Sequence, residues 1–423
     1  MDVIRVTGGN KLSGTVQVEG AKNSVLKLMA ATILAPGVYH IDRVPQIADV
    51  TIMAQVLKVL GAGVEHIKHE LTIDTSTVDK FETPYELVKQ MRASIAVLGP
   101  LLGRFGKAVV AMPGGCQIGE RKLDLHLLGL EALGVKFELD GGYIYASAPN
   151  GLVGADVSLD FASVGATENL MMAATCAQGT TVIENAACEP EIVDLANMLV
   201  DMGAKIMGAG TPVITIEGVE PAALKACDHT TVGDRIEAGT YLVAGALCQG
   251  PLTVTGFDPS HLSIVLRKLE AMGVTVEREQ DRVTVSCDKP LTSVDIQTLP
   301  YPGFPTDMQA QFMILCSCCE GDSIITENVF ENRFMVTGEL MRMGCDIRIE
   351  GHHALVKGQR TLSGAPVSST DLRGGAALVL AGLIAQGVTE VSGIKHIDRG
   401  YERLVEKLRA IGAQIERVTI DDE

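Results

Sequence analysis

The chain has 423 residues, enough for two or three domains, and its 47% hydrophobic and 21% charged residues indicate a globular protein. Its 35 basic and 52 acidic side chains give a net charge of −17, which argues against nucleic acid and anionic membrane surfaces as partners. The net charge does not argue against a small anionic substrate where basic residues converge.

The ten cysteines do not suggest a disulfide framework, because a chain of this length has ample core without such links. Half of them lie in apolar or Ala-rich segments: Cys176, Cys248, Cys316, Cys318 and Cys319. The last three have one CxxC spacing but no second ligand pair nearby, so small core residues are favoured over a metal site. No signal peptide opens the chain, and the apolar run 376–385 is too short to span a bilayer. We therefore expect a cytoplasmic protein.

The chain opens with a short predicted strand, residues 3–6, and then shows a sixfold repeat. A tripeptide of Leu, Met or Ile, then Gly, then Ala, Val or Cys marks each unit. The marker glycines, spaced by 68 to 73 residues, are Gly61, Gly134, Gly203, Gly273, Gly344 and Gly412. A second series in the same phase consists of Gly37, Gly106, Gly179, Gly250, Gly321 and Gly387. Two markers in phase indicate internal repetition.

Each repeat predicts the same order of elements. An Ala-rich apolar helix such as 165–177 or 374–385 comes first, and a glycine of the second series is expected to end it as a C′ residue. A strand, a polar loop and an amphipathic helix such as 191–202 lead to the marker glycine. Two strands such as 274–277 and 282–285 close the unit. The Ala-rich helices are apolar nearly all round and are expected to be buried.

Alternating strands and helices predict an α/β fold. The sixth unit has only one strand, 414–418, after its marker glycine, so the N-terminal strand is expected to pair with it. Six units divide naturally into two lobes of three, one of residues 22–231 and one of residues 1–21 with 232–423. Two chain crossings between the lobes predict a hinge, with a ligand site in the cleft between them.

The segment 113–121 places Cys116 in a glycine-rich loop, five residues before Arg121. Glycines allow the backbone to approach a ligand closely, and a nearby cation both lowers the pKa of a thiol and attracts an anion. A reactive cysteine at an anion site is one interpretation, and a surface turn with an idle thiol is the other. The loop lacks the Lys-Ser/Thr of a P-loop and is not a dinucleotide-binding fingerprint.

Polar residues recur at two places in each unit, the turn before the Ala-rich helix and the loop before the amphipathic helix. Such helix N-termini suit anions. Unit by unit, the turns carry Lys22 and Asn23, Arg92, Ser163 to Gly165, Asp234 and Arg235, Thr306 and Asp307, and Asp371 and Arg373. The loops carry Arg43 and Asp49, then Cys116, Arg121 and Asp124, then Glu189 and Glu191, then Asp258 and His261, then Glu331 to Arg333, and finally Asp398, Arg399 and Tyr401.

Two interpretations of these residues stay open. Basic residues that converge on one cleft would suit a substrate with several phosphates or carboxylates, whereas separate surface ion pairs would each contribute little. The basic residues concerned are Lys22, Arg92, Arg121, Arg235, Arg333, Arg373 and Arg399. For Ser163, Asp307 and Asp371 the structural alternative is a helix N-cap, because each has the right residue type and place.

Eight short motifs in order carry a resemblance to a known family. They are Gly-Ala-Lys-Asn at 20–23, Met-Arg-Ala-Ser at 91–94, Pro-Gly-Gly-Cys at 113–116, Asp-Arg-Ile-Glu at 234–237, Phe-Pro-Thr-Asp-Met-Gln-Ala-Gln at 304–311, Phe-Glu-Asn-Arg-Phe at 330–334, Asp-Leu-Arg at 371–373 and His-Ile-Asp-Arg-Gly-Tyr-Glu-Arg at 396–403. On these motifs the chain resembles the UDP-N-acetylglucosamine enolpyruvyl transferase family over nearly its whole length. The resemblance implies a two-lobed inside-out α/β barrel of six repeated units, three per lobe, with buried Ala-rich helices.

The resemblance also implies a reaction, the first committed step of peptidoglycan synthesis. The enolpyruvyl group of phosphoenolpyruvate moves to the 3′-hydroxyl of UDP-N-acetylglucosamine through a tetrahedral ketal, with loss of phosphate. No cofactor, metal, nucleic acid or membrane is implied. Cys116 would be the acid and could form an adduct with phosphoenolpyruvate, and Asp307 would meet the sugar hydroxyl. Lys22, Arg121 and Arg399 would hold the phosphate and carboxylate.

Further substrate-binding residues are implied in both lobes. Those of the first lobe are Asn23 and Arg92, which line the site, Ser163, Val164 and Gly165 at the nucleotide diphosphate, and Asp124 near the uracil. Those of the second lobe are Asp234, Val329 along the sugar, Arg333, Asp371 and Arg373. The chain departs from many family members at Lys122-Leu123, where Pro-Val is common, and at Gly374, where Ala is commoner. The first departure is expected to loosen the Cys116 loop.

Four alternatives compete with this interpretation. A shikimate-pathway enolpyruvyl transferase shares the fold and the donor, but the Gly-Gly-Cys loop and the Ser-Val-Gly turn at 163–165 argue against it. A non-enzymatic repeat scaffold would leave the motif set unexplained. A thiol redox enzyme would need a resolving cysteine beside Cys116, and an RNA 3′-phosphate cyclase conflicts with the net charge of −17.

Overall fold

The protein is seen in a computed structural model that describes residues 2–89, 91–112 and 123–420, without the side chains of residues 92–94. Within these ranges the chain forms two compact units, one of residues 2–19 with 233–420 and the other of the described residues between 20 and 232. The described strands form six sheets of four strands each, three sheets in each unit. The predicted α/β fold of six repeated units is therefore confirmed.

All six sheets have one topology. A short edge strand lies parallel to the strand that follows the Ala-rich helix, and two antiparallel strands complete the sheet. In the 20–232 unit the strand order of the first sheet is Asp228–Thr230, Val38–Asp42, Glu70–Asp74 and Gly63–Ile67. The order of the second sheet is Glu82–Thr83, Lys107–Ala111, Tyr143–Ser147 and Lys136–Asp140. The order of the third sheet is Asp156–Ser158, Thr180–Glu184, Val213–Glu217 and Lys205–Met207.

The unit of residues 233–420 repeats this topology with help from the N-terminal segment. Its orders are Gly14–Gln17, Leu252–Thr255, Arg282–Ser286 and Thr275–Arg278; Ile296–Gln297, Ser323–Thr326, His353–Lys357 and Asp346–Glu350; and Pro366–Ser368, Val388–Ser392, Asp2–Thr7 and Gln414–Thr419. In the last sheet the N-terminal strand pairs antiparallel with both of its neighbours. The predicted pairing of this strand with the sixth unit is thus confirmed.

Two kinds of helix alternate with the strands. The Ala-rich helices are Lys22–Ala31, Leu98–Phe105, Val164–Ala174, Arg235–Leu247, Gln309–Cys318 and Leu372–Ile384. The amphipathic helices are Ala48–Leu60, Asp124–Ala132, Pro190–Asp201, Ser263–Ala271, Thr337–Arg342 and Leu404–Ala410. One further turn of α-helix is Tyr85–Val88, and the 3₁₀ segments are Thr32–Leu34, Arg92–Val97, Pro221–Ala223, Pro259–Leu262, Thr306–Met308, Arg333–Val336 and Ile394–Arg399. Residues 373–383 are buried throughout, as expected for an Ala-rich helix.

The marker tripeptide ends the amphipathic helix of every unit in the same way. All six marker glycines have φ between 90° and 111°, a conformation that glycine adopts without a steric cost. The N–H of the next residue donates to a leucine carbonyl five residues back, at 2.9 to 3.1 Å, in the Schellman pattern. The donors are Ala62, Val135, Ala204, Val274, Cys345 and Ala413, and the acceptors are Leu57, Leu130, Leu199, Leu269, Leu340 and Leu408.

The glycines of the second series were predicted to end the Ala-rich helices as C′ residues, and most of them do not. Only Gly106 directly follows an Ala-rich helix with positive φ. Gly179, Gly321 and Gly387 share φ 93° but stand three or more residues beyond the helix ends. Gly250 instead allows close packing, because a Cβ there would lie 1.7 Å from the Leu12 carbonyl oxygen. The prediction that this series supplies helix C′ residues is therefore wrong outside Gly106.

Each unit has its own hydrophobic core. One core surrounds Tyr241 and Phe312, and the other surrounds Tyr39 and Leu26. In the part of the chain that the structure describes, no helix combines the length and apolar character needed to cross a bilayer. Over the same residues no set of three or more His, Cys, Asp or Glu side chains is placed to hold a metal ion. The described cysteines carry free thiols.

Candidate active site

In the 233–420 unit, Asp307 accepts hydrogen bonds from two arginines. Arg333 Nη2 lies 2.7 Å from Oδ1, and Arg373 Nη2 and Nε lie 3.1 and 3.3 Å from Oδ2. The arginine side chains are only 4% and 3% exposed, whereas Asp307 is 22% exposed. Asp307 stands in the 3₁₀ turn that leads into a buried helix, and each arginine stands at the start of another helical segment.

Two buried arginines share the Asp307 carboxylate in this cluster. The Nη1 atoms of Arg333 and Arg373 are buried, and neither has a hydrogen-bond partner among the described residues. Burial alone would lower the pKa of Arg373, but Tyr401, Asp307 and Asp234 outweigh it and raise that pKa above its usual range. Buried N–H groups of a charged side chain are costly to leave unpaired, so the cluster favours an anionic ligand.

Several predicted site residues are helix caps. Asp371 accepts from the N–H groups of Arg373 and Gly374 at 2.9 and 3.0 Å, and Ser163 accepts from that of Ala166 at 3.4 Å. The cap interpretation is thus confirmed for Asp371 and Ser163. It is wrong for Asp307, since Pro305 and Met308 occupy the cap positions there and the carboxylate meets the arginines instead.

Asp234, another predicted site residue, is also a cap. It accepts from the N–H groups of Ile236 and Glu237, both at 2.9 Å, at the start of Arg235–Leu247. The Arg235 guanidinium carbon lies 5.4 Å from the Tyr301 ring centroid, the distance of a cation–π contact. These interactions fix the first turn of a buried helix.

Val329 and Arg399 stand in two other loops of this unit. The N–H of Val329 donates to Glu327 Oε1 at 2.9 Å. The buried Glu327 also accepts from the Thr306 hydroxyl at 2.9 Å, so it ties the Val329 loop to the turn that carries Asp307. Arg399 ends the segment Ile394–Arg399 and is half-buried. Burial, Lys395 and Arg399 together lower the pKa of His396.

In the 20–232 unit, Lys22 and Asn23 form the first turn of Lys22–Ala31. The Lys22 ammonium lies 2.9 Å from the buried carboxylate of Asp49. One turn further on, Lys27 lies 2.9 Å from Glu168. Burial raises the pKa of Glu168 to about 7, although Lys27 opposes the shift.

The nucleotide-binding residues implied by the sequence lie on two packed helices. Ser163 caps Val164–Ala174, and a Cβ at Gly165 would lie 3.0 Å from His126 Cε1. His126 belongs to the helix that begins at the exposed Asp124. Asn169 Nδ2 donates to His126 Nδ1 at 3.0 Å, while Asn169 Oδ1 accepts from Gly99 N. The structure thus brings Asp124 and the Ser163 turn into one region.

Three predicted site residues lie wholly or partly outside the described part of the chain. Cys116 and Arg121 lie outside the described residues, and only the backbone of Arg92 is described, at the start of Arg92–Val97.

Sequence reasoning missed the pair of Lys27 and Glu168 and the role of Glu327. An acid within an Ala-rich helix was the signal for Glu168, whereas Glu327 gave no signal beyond its place at a strand end.

Comparison with known proteins identifies the family. The profile of the EPSP synthase (3-phosphoshikimate 1-carboxyvinyltransferase) family matches residues 6–408. A UDP-N-acetylglucosamine 1-carboxyvinyltransferase of Corynebacterium jeikeium is 52% identical over 417 residues, 99% of each chain. One from Carboxydothermus hydrogenoformans is 52% identical over 421 residues, 99% of this chain and 100% of that one. The chain belongs to the UDP-N-acetylglucosamine 1-carboxyvinyltransferase family.

Solved structures show the same fold. The enolpyruvyl transferase NikO from Streptomyces tendae has a TM-score of 0.90 and 29% identity, covering 99% of both chains. EPSP synthase from Acinetobacter baumannii has a TM-score of 0.77 and 18% identity, over 99% of this chain and 100% of that one, which shows the shared fold.

Proposed function

We propose that this chain transfers the enolpyruvyl group of phosphoenolpyruvate to the 3′-hydroxyl of UDP-N-acetylglucosamine and releases phosphate. The reaction is the first committed step of peptidoglycan synthesis, and we assign the protein to the cytoplasm. The observation that carries the proposal is the 52% identity, over 99% of the chain, to proteins named for this reaction. The cluster of Asp307, Arg333 and Arg373 supports it, because both substrates are anions.

The proposed chemistry is addition followed by elimination. In the addition, Cys116 delivers a proton to the methylene carbon of phosphoenolpyruvate, the sugar oxygen bonds to the adjacent carbon, and Asp307 receives the hydroxyl proton. The resulting ketal then loses phosphate together with a proton from its new methyl group, which restores the double bond. A covalent adduct of Cys116 with phosphoenolpyruvate belongs to the same proposal. The two arginines beside Asp307 hold its carboxylate in place through hydrogen bonds to both of its oxygens.

The proposed binding roles follow the positive charges. Lys22, Arg121 and Arg399 hold the phosphate and carboxylate groups, with Asn23, Arg92, Arg333 and Arg373 around them. Ser163, Val164 and Gly165 offer a helix N-terminus to the diphosphate, Asp124 lies near the uracil and Val329 lies along the sugar. For Asp234 and Asp371 we propose that they act by fixing helix starts, since their carboxylates cap helices.

One alternative acceptor is supported by a specific observation, because the family profile that matches residues 6–408 bears the name of 3-phosphoshikimate 1-carboxyvinyltransferase. That enzyme would use the same donor with shikimate 3-phosphate. The Cys116 loop favours the sugar nucleotide, as the sequence comparison with named relatives does.

The test is phosphate release from phosphoenolpyruvate with each acceptor, for the wild type and Cys116→Ala. We expect release only with UDP-N-acetylglucosamine and a loss of about 10² to 10⁴-fold in the variant, the usual contribution of a general acid. Cys188→Ala, which removes a half-buried free thiol, is the matched control and should keep activity. We also expect an epoxide phosphonate such as fosfomycin to inactivate the wild type. Release with shikimate 3-phosphate alone would reassign the enzyme, and no release with either acceptor would refute the proposal.

A further inference from the structure

A buried polar network lies behind Arg373 in the 233–420 unit. Its members Tyr401, Thr240 and Gln311 are 2%, 0% and 0% exposed. The network joins the three Ala-rich helices of this unit, which are Arg235–Leu247 through Thr240, Gln309–Cys318 through Gln311 and Leu372–Ile384 through Arg373. Buried polar groups at the meeting point of three helices hold those helices in one arrangement when their hydrogen bonds are made.

The direction of each hydrogen bond in the network follows from its geometry. Thr240 Oγ1 lies 2.8 Å from the carbonyl oxygen of Ile236 and donates its single proton there, because a carbonyl only accepts. The Tyr401 hydroxyl lies 2.9 Å from Thr240 Oγ1 and must therefore be the donor in that bond. Gln311 Nε2 donates to Thr240 Oγ1 at 3.2 Å and to the Tyr401 oxygen at 3.4 Å. The Tyr401 oxygen is thereby left as a hydrogen-bond acceptor.

An acceptor is what Arg373 requires, since a guanidinium only donates. The Arg373 guanidinium carbon lies 5.3 Å from the Tyr401 ring centroid. On another side Asp307 accepts from Nε and Nη2 of the same guanidinium. Tyr401 is also the first of the neighbours that raise the pKa of Arg373 against the effect of burial. Asp307 alone therefore does not set the orientation of Arg373.

We propose that Tyr401, Thr240 and Gln311 are positioning residues for Arg373. Thr240 and Gln311 orient the Tyr401 hydroxyl so that its oxygen faces the guanidinium, and this holds the remaining N–H groups of Arg373 for an anionic group of the substrate. The inference rests on the proposed function, which places Arg373 around the phosphate and carboxylate groups, and adds that Arg373 contacts phosphoenolpyruvate. None of the three residues touches the substrate in this proposal.

The test compares Thr240→Val, Thr240→Ser and Tyr401→Phe by steady-state kinetics. Thr240→Val keeps the side-chain shape but removes the acceptor that orients Tyr401, and Tyr401→Phe removes the phenol oxygen itself. We expect the KM for phosphoenolpyruvate to rise about five- to tenfold in both, the effect of one lost hydrogen bond. The KM for UDP-N-acetylglucosamine should change less than about twofold, and Thr240→Ser should restore the wild-type values.

The matched control is Thr175→Val in the other unit. Thr175 is fully buried and its hydroxyl donates to the Met171 carbonyl four residues back at 2.9 Å, as Thr240 does to Ile236, but among the described residues its hydroxyl belongs to no such network. We expect this variant to lose thermal stability without any change in either KM. An equal rise of KM in Thr175→Val, or no rescue by Thr240→Ser, would show a purely structural effect and overturn the proposal.

A second readout separates this inference from the proposed function. Phosphoenolpyruvate and inorganic phosphate should each raise the melting temperature of the wild type more than that of Thr240→Val, because a ligand stabilises the state that binds it better. This measurement does not need turnover. If the wild type releases no phosphate, the proposed function fails while the melting shifts still test the positioning. Equal melting shifts in the wild type and both variants, or unchanged KM values in an active enzyme, would overturn it.

Discussion

At the scale of single residues, the surroundings of a carboxylate decide its role in this protein. Asp371 caps a helix, and Asp307 forms ion pairs with two arginines. Glu168 and Glu237 are buried deeply enough that the pKa of each rises to about 7. Each of the last two has one lysine beside it, which opposes the shift without cancelling it. Stability therefore depends on pH through groups that the proposed reaction does not use.

The sign of this pH dependence is set by the raised pKa. An unfolded Glu168 loses its proton near the ordinary pKa of 4.5, whereas the folded one keeps it up to about 7. Between these values the folded state binds more protons, so the free energy of unfolding falls as pH rises through this window. We expect the double variant Lys27→Met with Glu168→Gln to lose part of that fall, with Glu237 supplying the rest.

Urea unfolding at about pH 5 and about pH 7.5 measures this effect. Glu270→Gln, at an exposed pair with Arg278 at 2.6 Å, is the control and should keep the wild-type pH dependence. If the free energy of unfolding of the double variant falls with pH as steeply as that of the wild type, Glu168 does not hold a proton near neutral pH.

Residue roles were the least predictable part of the site. The sequence around Asp307 is compatible with a helix cap, and its true partners Arg333 and Arg373 stand 26 and 66 residues away along the chain. No local pattern reports such distant pairs. The caps at Ser163 and Asp371, by contrast, depend only on the next three residues, so the sequence could offer capping as an alternative to substrate binding.

At the scale of elements, one tripeptide specifies the end of six helices. The apolar residue after each marker glycine sends its N–H back to a leucine carbonyl, and glycine between them takes positive φ. The sequence predicted the repeat from this signal because the glycine and its apolar neighbours are both required by the Schellman motif. The sequence pattern assigned the C′ role to the second glycine series as well. A glycine near a helix end gives the same sequence signal whether it turns the chain or, as at Gly250, allows another backbone segment to pack closely.

Gly273→Ala tests the helix ends. Gly273 has φ 98°, and a Cβ added there would meet no atom within 4 Å, so the expected loss of roughly 1–2 kcal/mol comes from the backbone alone. Gly338, an exposed residue at the second position of Thr337–Arg342, also has open space around it but helical φ. Gly338→Ala should therefore stabilise by roughly 0.5–1 kcal/mol. Denaturant unfolding gives both values, and effects of the same sign would contradict this account.

At the scale of the whole molecule, the chain builds two separate cores. All the residues of one core come from 25–224, and those of the other come from 4–18 and 236–415. The first segment is therefore essential to the second core: Asp2–Thr7 lies between two strands of one sheet, and Gly14–Gln17 pairs with Leu252–Thr255 in another. The odd strand count of the sixth repeat made the pairing of the first strand predictable from the sequence, but not the pairing of Gly14–Gln17.

We expect fragment 20–232 to unfold cooperatively by itself, because its sheets and core are complete. Fragment 233–423 should not, because one of its sheets lacks a central strand without residues 2–7. Adding a peptide of residues 1–19 should restore a cooperative transition, which circular dichroism during urea unfolding would detect. A cooperative transition of fragment 233–423 without the peptide would contradict the prediction.

The two cores have a consequence for spectroscopy. The chain contains no tryptophan, and its seven tyrosines are divided between the units, with Tyr39, Tyr85, Tyr143 and Tyr145 in one and Tyr241, Tyr301 and Tyr401 in the other. A single tryptophan introduced at an exposed tyrosine such as Tyr145 would therefore emit from one unit alone. Its fluorescence would report the unfolding of that unit alone, whereas a heat-capacity curve adds the unfolding of both units. A fluorescence midpoint that differs from the calorimetric one would mean that a single melting temperature for this protein is an average over two different cores.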